Sequence, residues 1–266
     1  MSLPANPRCV ITGAGAGLGR ALALELAKRD AHLILSDVDT NGVDETARLA
    51  MAAGARSARA MRCDVAKLDD VKALAASCER PVNLVVNNAG VASAGLIGEL
   101  PVEDWRWTLE VDLFGVIHGC HVFVPFLRSQ GHGHVLNVAS AAGLLSAPRM
   151  GAYNVAKAGV VALSETLHAE LIDSKVNVTV LCPMFFQSNI IKAMRSTDDK
   201  TRVAADGLIA KGPPAADIAK AALRAVDRGE LYCVPMADGR WIWRLKRASP
   251  EVYARIAGNV IKRALR

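Results

Sequence analysis

Short apolar runs alternate with longer amphipathic stretches along the whole chain. Arg8–Thr12, His32–Asp37, Ser57–Cys63, Val82–Val86, His134–Ala139, Val176–Cys182 and Leu231–Pro235 are rich in β-branched and aliphatic residues and read as strands. Helical periodicity begins near Leu18, Asn41, Leu68, Val102, Gly151 and Ala215. Seven strands separated by six helices require crossover connections. The expectation is therefore an α/β fold with a doubly wound, seven-stranded parallel sheet and helices on both faces. No internal repeat or Pro/Gly/Ser-rich linker divides the chain, so one domain is expected over 1–238, followed by a basic helical extension over 239–266. Two places break the alternation. Residues 184–212 form a long segment after the sixth strand, with Phe185, Phe186, Ile190, Ile191 and Met194 beside charged residues, the composition of a substrate lid. In the extension, Ser249-Pro250 is a helix start, with serine as N-cap and proline at the first helical position.

Composition narrows the class without naming it. With 266 residues, 52% of them hydrophobic and 22% charged, the chain has the make-up of an ordinary globular protein with a sizeable core. The six cysteines stand singly, mostly inside strand-like runs, which predicts buried thiols in a reducing cytoplasm and neither disulfides nor a zinc site. No signal peptide is read at the N-terminus, and no apolar stretch is read as long enough to span a bilayer. The net charge of +6 is concentrated at one end: from Arg240 onward there are eight basic residues and one acid, Glu251, and the rest is near neutral. No nucleic-acid partner is expected.

Between the first strand and the first helix lies Thr12-Gly13-Ala14-Gly15-Ala16-Gly17-Leu18-Gly19. Leu18 stands where the GxGxxG fingerprint has its third glycine, so the turn matches the TGxxxGxG variant instead. Such a turn admits backbone geometry that a Cβ would block, and it brings phosphates to amide groups at a helix N-terminus. Asp37 ends the second strand, where its carboxylate can accept hydrogen bonds from an adenosine ribose and would repel a 2′-phosphate. Ala14, Gly15 and Val38 supply no compensating base, so NAD is expected over NADP. Asp64 and Val65, at a later strand end, suit the adenine, and Asn88-Ala89-Gly90 suits a close-packed wall of the crevice.

Tyr153 and Lys157 are four apart in a helical segment and share a face. A free phenol has a pKa of about 10. An ammonium about 4 Å away at an effective dielectric of about 20 contributes roughly 4 kcal/mol, which would lower that value by about three units before desolvation offsets part of it. Ser140 follows the fifth strand at the carboxyl edge, where open sheets bind ligands, and its hydroxyl can hold a substrate oxygen beside the phenol. Tyr232 and Tyr253 have no lysine four residues on.

These residues, in this order and spacing, resemble the classical short-chain dehydrogenase/reductase family from about Arg8 to Pro235. The resemblance is carried by Thr12–Gly19, Asp64, Asn87–Gly90, Ser140, Tyr153-Asn154-Val155-Ala156-Lys157 and Pro183. It implies a Rossmann-type domain in which Tyr153 is the catalytic acid/base, Ser140 orients the substrate oxygen, and Lys157 holds the nicotinamide ribose and lowers the pKa of the phenol. Cofactor contacts are then expected from Gly13, Gly15, Ala16, Gly17, Leu18, Gly19, Asp37, Asp64, Val65, Asn88, Ala89, Gly90, Val138, Tyr153, Lys157, Pro183, Phe186 and Ser188. The pattern departs from the family at three positions. Asp112 stands where an asparagine usually steadies a water near the lysine, adding a negative charge to the catalytic group. Met184 replaces the glycine that commonly follows Pro183, and Ala156 replaces a common serine.

The leading expectation is an NAD-dependent oxidoreductase interconverting an alcohol and a carbonyl on a mostly apolar small molecule. The competing one is a nucleotide-binding protein of the same fold with impaired catalysis and a regulatory or lipid-associated role. His132-Gly133-His134 reads as a turn and not a metal site, and His118 and His121 as core or interface residues. The segments Val102–Arg128 and Gly151–Asp173 are apolar on more than one face, which predicts a homodimer or homotetramer formed through them. The tail interleaves Trp241, Trp243, Leu245, Ile256, Val260 and Ile261 with bases. It is expected to pack over the cleft or a second subunit in preference to an anionic membrane surface.

Overall fold

The computed structural model describes the backbone of residues 2–264 and side chains through Ala257; the side chains of Val260 and Ile261 therefore lie outside the described residues. The first half of the chain runs β1 (Arg8–Thr12), α1 (Gly17–Ala27), β2 (His32–Asp37), α2 (Thr40–Ala52), β3 (Ser57–Arg62), α3 (Leu68–Ala76), β4 (Leu84–Asn87), β5 (Ser93–Ala94), α4 (Val102–Leu109), a π-helical turn (Glu110–Phe114) and α5 (Gly115–Gln130). It continues through β6 (Gly133–Val138), α6 (Ala141–Leu145), α7 (Gly151–Glu170), β7 (Val176–Leu181), a 3-10 turn (Ile190–Ala193), β8 (Arg195–Ser196), α8 (Asp199–Ala210), α9 (Ala215–Arg228), β9 (Tyr232–Cys233), α10 (Ala237–Ala248) and α11 (Pro250–Ala264).

Seven strands form one parallel sheet in the order β3-β2-β1-β4-β6-β7-β9. Their side chains alternate between two cores, as the period-two geometry of a strand requires. Cys9, Ile11, Leu84, Val86 and Leu136 point to one face and meet Leu22 and Leu26 of α1, Val43 of α2, and Ile218 and Leu223 of α9. Val10, Val85 and Val135 point to the other and meet Leu74 of α3, Phe123 and Leu127 of α5, and Val160 of α7. The order reverses between β1 and β4, so the loops leaving these two strands diverge and open a crevice at the carboxyl edge.

The lid segment is more regular than a long loop. Asp198 accepts a hydrogen bond from the Thr201 amide at 2.7 Å and so starts α8, and β8 pairs with β5. The helix after Ser249-Pro250 forms as expected, and it is preceded by α10, which lies largely within the expected helical extension but starts without a capping serine or aspartate. All six cysteines are free, five of them buried. The expectation that no apolar stretch is membrane-length is corrected: the continuous helical run Val102–Gln130 has 29 residues and is long and apolar enough to cross a bilayer. Its inward residues Val116, Cys120, Phe123, Val124 and Leu127 are buried on the sheet, so packing accounts for its apolarity.

Helix α5 approaches β4 most closely at Gly119, where an added Cβ would fall inside the van der Waals shell of the Asn87 amide. That amide donates to Asn137 Oδ1 at 2.8 Å, and Asn137 donates to Ser164 Oγ at 3.0 Å, a buried polar chain linking β4, β6 and α7. Gly119→Ala is expected to destabilise the protein by about 2–4 kcal/mol through overpacking and loss of the Asn87 bond. Urea unfolding measures this; an unchanged midpoint would show that α5 can shift away without cost.

Candidate active site

A cavity of about 690 Å³ opens at the crevice, lined from the glycine turn at one end to the lid at the other. In the turn, Gly13 (φ +63°) and Gly17 (φ +51°) hold left-handed backbone conformations that L side chains rarely adopt, and a Cβ at Gly13 would strike Ala89. Ala16 precedes α1 with no side-chain cap, so the first amides of the helix are left without a capping partner beside the cavity lining. These features fit a dinucleotide: a cradle free of side chains, the positive end of a helix, and Asp37 in the lining beyond it.

Neighbouring groups fix the turn in place. Thr12 Oγ1 accepts hydrogen bonds from the amides of Asn88 (3.0 Å) and Ala89 (3.2 Å), while the Asn88 side chain donates to the carbonyls of Thr12 (2.9 Å) and Gly13 (3.0 Å). Asp37 accepts from the Gly15 amide at 2.8 Å. Arg20, which the sequence reading did not select, donates to the carbonyls of Gly15 and Gly42 and to Thr46 Oγ1, bracing the turn from below. Of the expected cofactor contacts, Gly13, Ala16, Gly17, Leu18, Asp37, Asp64, Val65, Asn88, Ala89, Gly90, Val138, Tyr153, Lys157, Pro183, Phe186 and Ser188 line the cavity. Gly15 and Gly19 do not. A Cβ at Gly19 would meet the Gly13 carbonyl and the Asn88 amide, so its smallness serves helix-to-turn packing. His118 accounts for its own polarity by pairing Nδ1 with the Val65 carbonyl at 2.8 Å.

Past the turn, Ser140, Tyr153 and Lys157 share the lining. Ser140 caps α6, its hydroxyl accepting from the Ala142 amide at 3.1 Å. Tyr153 and Lys157 lie on the buried side of α7, with the ammonium 5.6 Å from the phenol ring centroid. Lys157 Nζ donates to the Val138 carbonyl at 3.2 Å and lies 3.4 Å from Asp112 Oδ2. Asp112 is fully buried behind the lining. Its Oδ1 accepts from the Val91 amide at 2.7 Å, and its Oδ2 has no hydrogen-bond partner, so the contact with Lys157 is one of charge.

The electrostatics correct one expectation. Burial pushes the Tyr153 phenol above its ordinary value; Lys157 and the Ser140 hydroxyl oppose that shift, and Asp112 adds to it. The helical spacing brings the ammonium close, as expected, but desolvation of the phenolate outweighs its pull. Burial disfavours the Lys157 ammonium, yet Asp112 and Tyr153 hold it above the usual lysine range. Burial also raises the Asp112 carboxyl, against the pull of Lys157 and the Val91 amide.

The far end of the cavity is apolar. Ile191 of the expected lid is among its walls, with Val91, Ala92, Trp107, Met150 and Ile209, and these five were missed because none carries a chemical signal in sequence. Met184 also lines it, its side chain resting on Gly239 of α10. The lid is tied across this end by the ion pair of Arg149 with Asp198, by Arg149 Nε to Thr201 Oγ1 at 3.1 Å, and by Arg195 to Asp104 at 2.9 Å. The second histidine candidate is structural: His134 is buried, bonded to Thr179 Oγ1 at 2.9 Å, and burial pushes its pKa down to about 3. Among the described residues no group of His, Cys, Asp and Glu could hold a metal ion.

Residues 8–199 match the short chain dehydrogenase family, and the chain belongs to it. The Mycobacterium tuberculosis protein named "Putative oxidoreductase SadH" is 42% identical over 176 residues, 65% of this chain but 63% of that protein, so the match spans less than two thirds of its length. Cyclohexanol dehydrogenase of an Acinetobacter species is 30% identical over 190 residues, covering 70% of this chain and 75% of that one. The crystal structure of a short chain dehydrogenase/reductase from Burkholderia phymatum in complex with NAD superposes with a TM-score of 0.89 at 33% identity, covering 95% of this chain and 96% of the other.

Asp112→Asn removes a negative charge that raises the Tyr153 phenol. The apparent pKa of Tyr153 is therefore expected to fall, moving the pH profile of kcat/KM to lower pH. A profile that moves upward or stays in place would show that Asp112 carries no charge or acts too weakly to matter.

Proposed function

We propose that the protein is an NAD-dependent oxidoreductase that interconverts an alcohol and a carbonyl on a mostly apolar small molecule. The observation that carries this reading is the placement of Ser140, Tyr153 and Lys157 in one cavity, between a glycine cradle suited to a dinucleotide and an apolar chamber. A bound nicotinamide supplies the two-electron chemistry at the substrate carbon. The chain's own residues handle the oxygen and its proton. Ser140 Oγ holds the substrate oxygen, and Tyr153 Oη takes the hydroxyl proton in oxidation or returns one in reduction. Lys157, fixed by Val138 and Asp112, favours the phenolate and offers its ammonium to the cofactor ribose. Apolar walls exclude water and select substrate by shape and hydrophobicity.

Preference for NAD is supported by Asp37, whose carboxylate lines the adenosine end and would repel a 2′-phosphate. The base that does reach the turn, Arg20, is engaged by two carbonyls and Thr46. The six free cysteines suit a reducing cytoplasm. Assembly into a dimer or tetramer through the long helices is supported by apolar side chains left exposed on them, Val102, Phe114 and Val155. The competing reading, a nucleotide-binding protein with impaired catalysis, draws on Asp112, which raises the phenol it should help to ionise.

Tyr153→Phe is expected to lower turnover of apolar alcohols by about 10²–10⁴-fold, read as formation of the reduced cofactor, while NADH affinity stays within a few-fold. Lys157→Ala is expected to damage both. Retention of more than about a tenth of the activity in Tyr153→Phe would overturn the acid/base assignment. NADH binding without turnover of any alcohol in a broad panel would favour the competing reading.

Comparison of kcat/KM for NAD and NADP with one substrate is expected to favour NAD. Equal or better use of NADP would mean that the 2′-phosphate finds a cation other than those accounted for at Asp37.

A further inference from the structure

The tail after Val234 presents two different surfaces. Its inner side is tied to the wall of the cavity. Lys246 Nζ donates to the Leu144 carbonyl (2.8 Å) and to Ser146 Oγ (3.1 Å), Tyr253 Oη donates to the Leu145 carbonyl (2.6 Å), and Trp243 packs against Tyr232 at a tilt with centroids 4.9 Å apart. Its outer side carries apolar residues at helical spacing with nothing over them: Trp241 (69% exposed) and Leu245 (40%) on α10, Val252 (45%) and Ile256 (49%) on α11. Exposed arginines lie among them at Arg240, Arg244, Arg247 and Arg255, with Arg244 over the Trp241 ring and Arg247 over the Trp243 ring. Only Asp238 and Glu251 oppose this charge among the exposed residues of the two helices.

We propose that this outer side is a docking surface for an anionic lipid bilayer, with Trp241 and Leu245 entering the interface and the arginines meeting lipid headgroups. Basic side chains around aromatic and aliphatic ones on an amphipathic helix suit that boundary, where attraction to charged headgroups and burial of apolar area act together. Charge complementarity selects the occupant. A second copy of the same face would set four exposed arginines against four, so self-pairing is opposed by the charge that favours an acidic surface. A polyanion such as RNA would satisfy the arginines but leave the aliphatic side chains in water. Leu145, whose carbonyl the tail grips, also lines the cavity, so the docked face lies one layer from the substrate chamber. The surface does not rest on the dehydrogenase reading, since no tail residue is among the cavity lining.

The test is cosedimentation of the full chain with phosphatidylcholine vesicles, with and without phosphatidylglycerol, at low and raised salt. Binding is expected to the anionic vesicles alone, to weaken with salt, and to shift tryptophan emission to shorter wavelength. Arg244→Gln with Arg247→Gln is expected to weaken it about 25-fold, taking the value of one basic residue near a charged membrane surface for each. Trp241→Ala is expected to weaken binding about tenfold and to remove the emission shift. Turnover of a soluble alcohol is expected to be unchanged in both variants, which separates this test from that of the reaction. Failure to sediment with anionic vesicles would overturn the proposal. So would equal capture by RNA with no effect of Trp241→Ala, which would show bare attraction to polyanions, or a changed oligomeric state in Trp241→Ala, which would identify a subunit interface.

Discussion

The site is organised around one buried cation. The Lys157 ammonium, 3% exposed, sits where water cannot solvate it, and an uncompensated charge there would cost several kcal/mol. Two elements compensate it, the end of β6 through the Val138 carbonyl and the helical run before α5 through Asp112, and the loop after β4 packs against the pair at Gly90. A Cβ at Gly90 would stand 3.3 Å from Asp112 Oδ1 and 3.4 Å from Lys157 Nζ, so the loop lies close against the pair. Asp112 lies in the π-helical turn Glu110–Phe114, a local widening that interrupts the regular ladder between α4 and α5. The geometry of the catalytic group therefore depends on backbone from three separate crossovers.

The parallel sheet makes this convergence possible. With every strand of the main sheet running the same way, the segments following β1, β2, β4, β6 and β7 all emerge at one edge. The reversal between β1 and β4 parts the glycine turn from Ser140 and leaves a trough between them. Hydrogen bonds from Asn88 to the Thr12 and Gly13 carbonyls keep the two sides of that reversal at fixed spacing. The dinucleotide end and the proton-handling end are thus parts of one rigid edge, whereas the apolar end is closed by the separately latched segment carrying β8 and α8.

What could be read in advance depended on how local the signal was. The first six strands of the long sheet and the helices from Gly17, Thr40, Leu68, Val102, Gly151 and Ala215 carry their periodicity within themselves, and their boundaries fall within a few residues of expectation, while the expected Leu231–Pro235 strand pairs only at Tyr232–Cys233. The strands Ser93–Ala94 and Arg195–Ser196 have two residues each and exist only as a pair, so neither shows an alternation to detect. Helix α8 buries only Ile209, too little for an apolar stripe, and α10 begins after Met236 with no side-chain cap. At the site, residues bearing chemistry were legible as types and spacings. Those acting through direction were not: nothing in the order of residues shows that the guanidinium of Arg20 turns back onto Gly15. For Tyr153, helical spacing reports the neighbouring charge but not how completely burial removes water, which here is the larger effect.

Met184 rests with its inner surface on the cavity and its outer surface on Gly239, where a Cβ would stand 2.9 Å from Met184 Cγ. The chamber wall at this point is a flexible thioether backed by a glycine of α10. Bulk added at residue 239 would be transmitted inward through the methionine, and the chamber would narrow although no residue facing the substrate had changed. The shape of the chamber can therefore diverge by drift at a position outside its lining, concealed in a helix that a comparison of cavity linings would pass over.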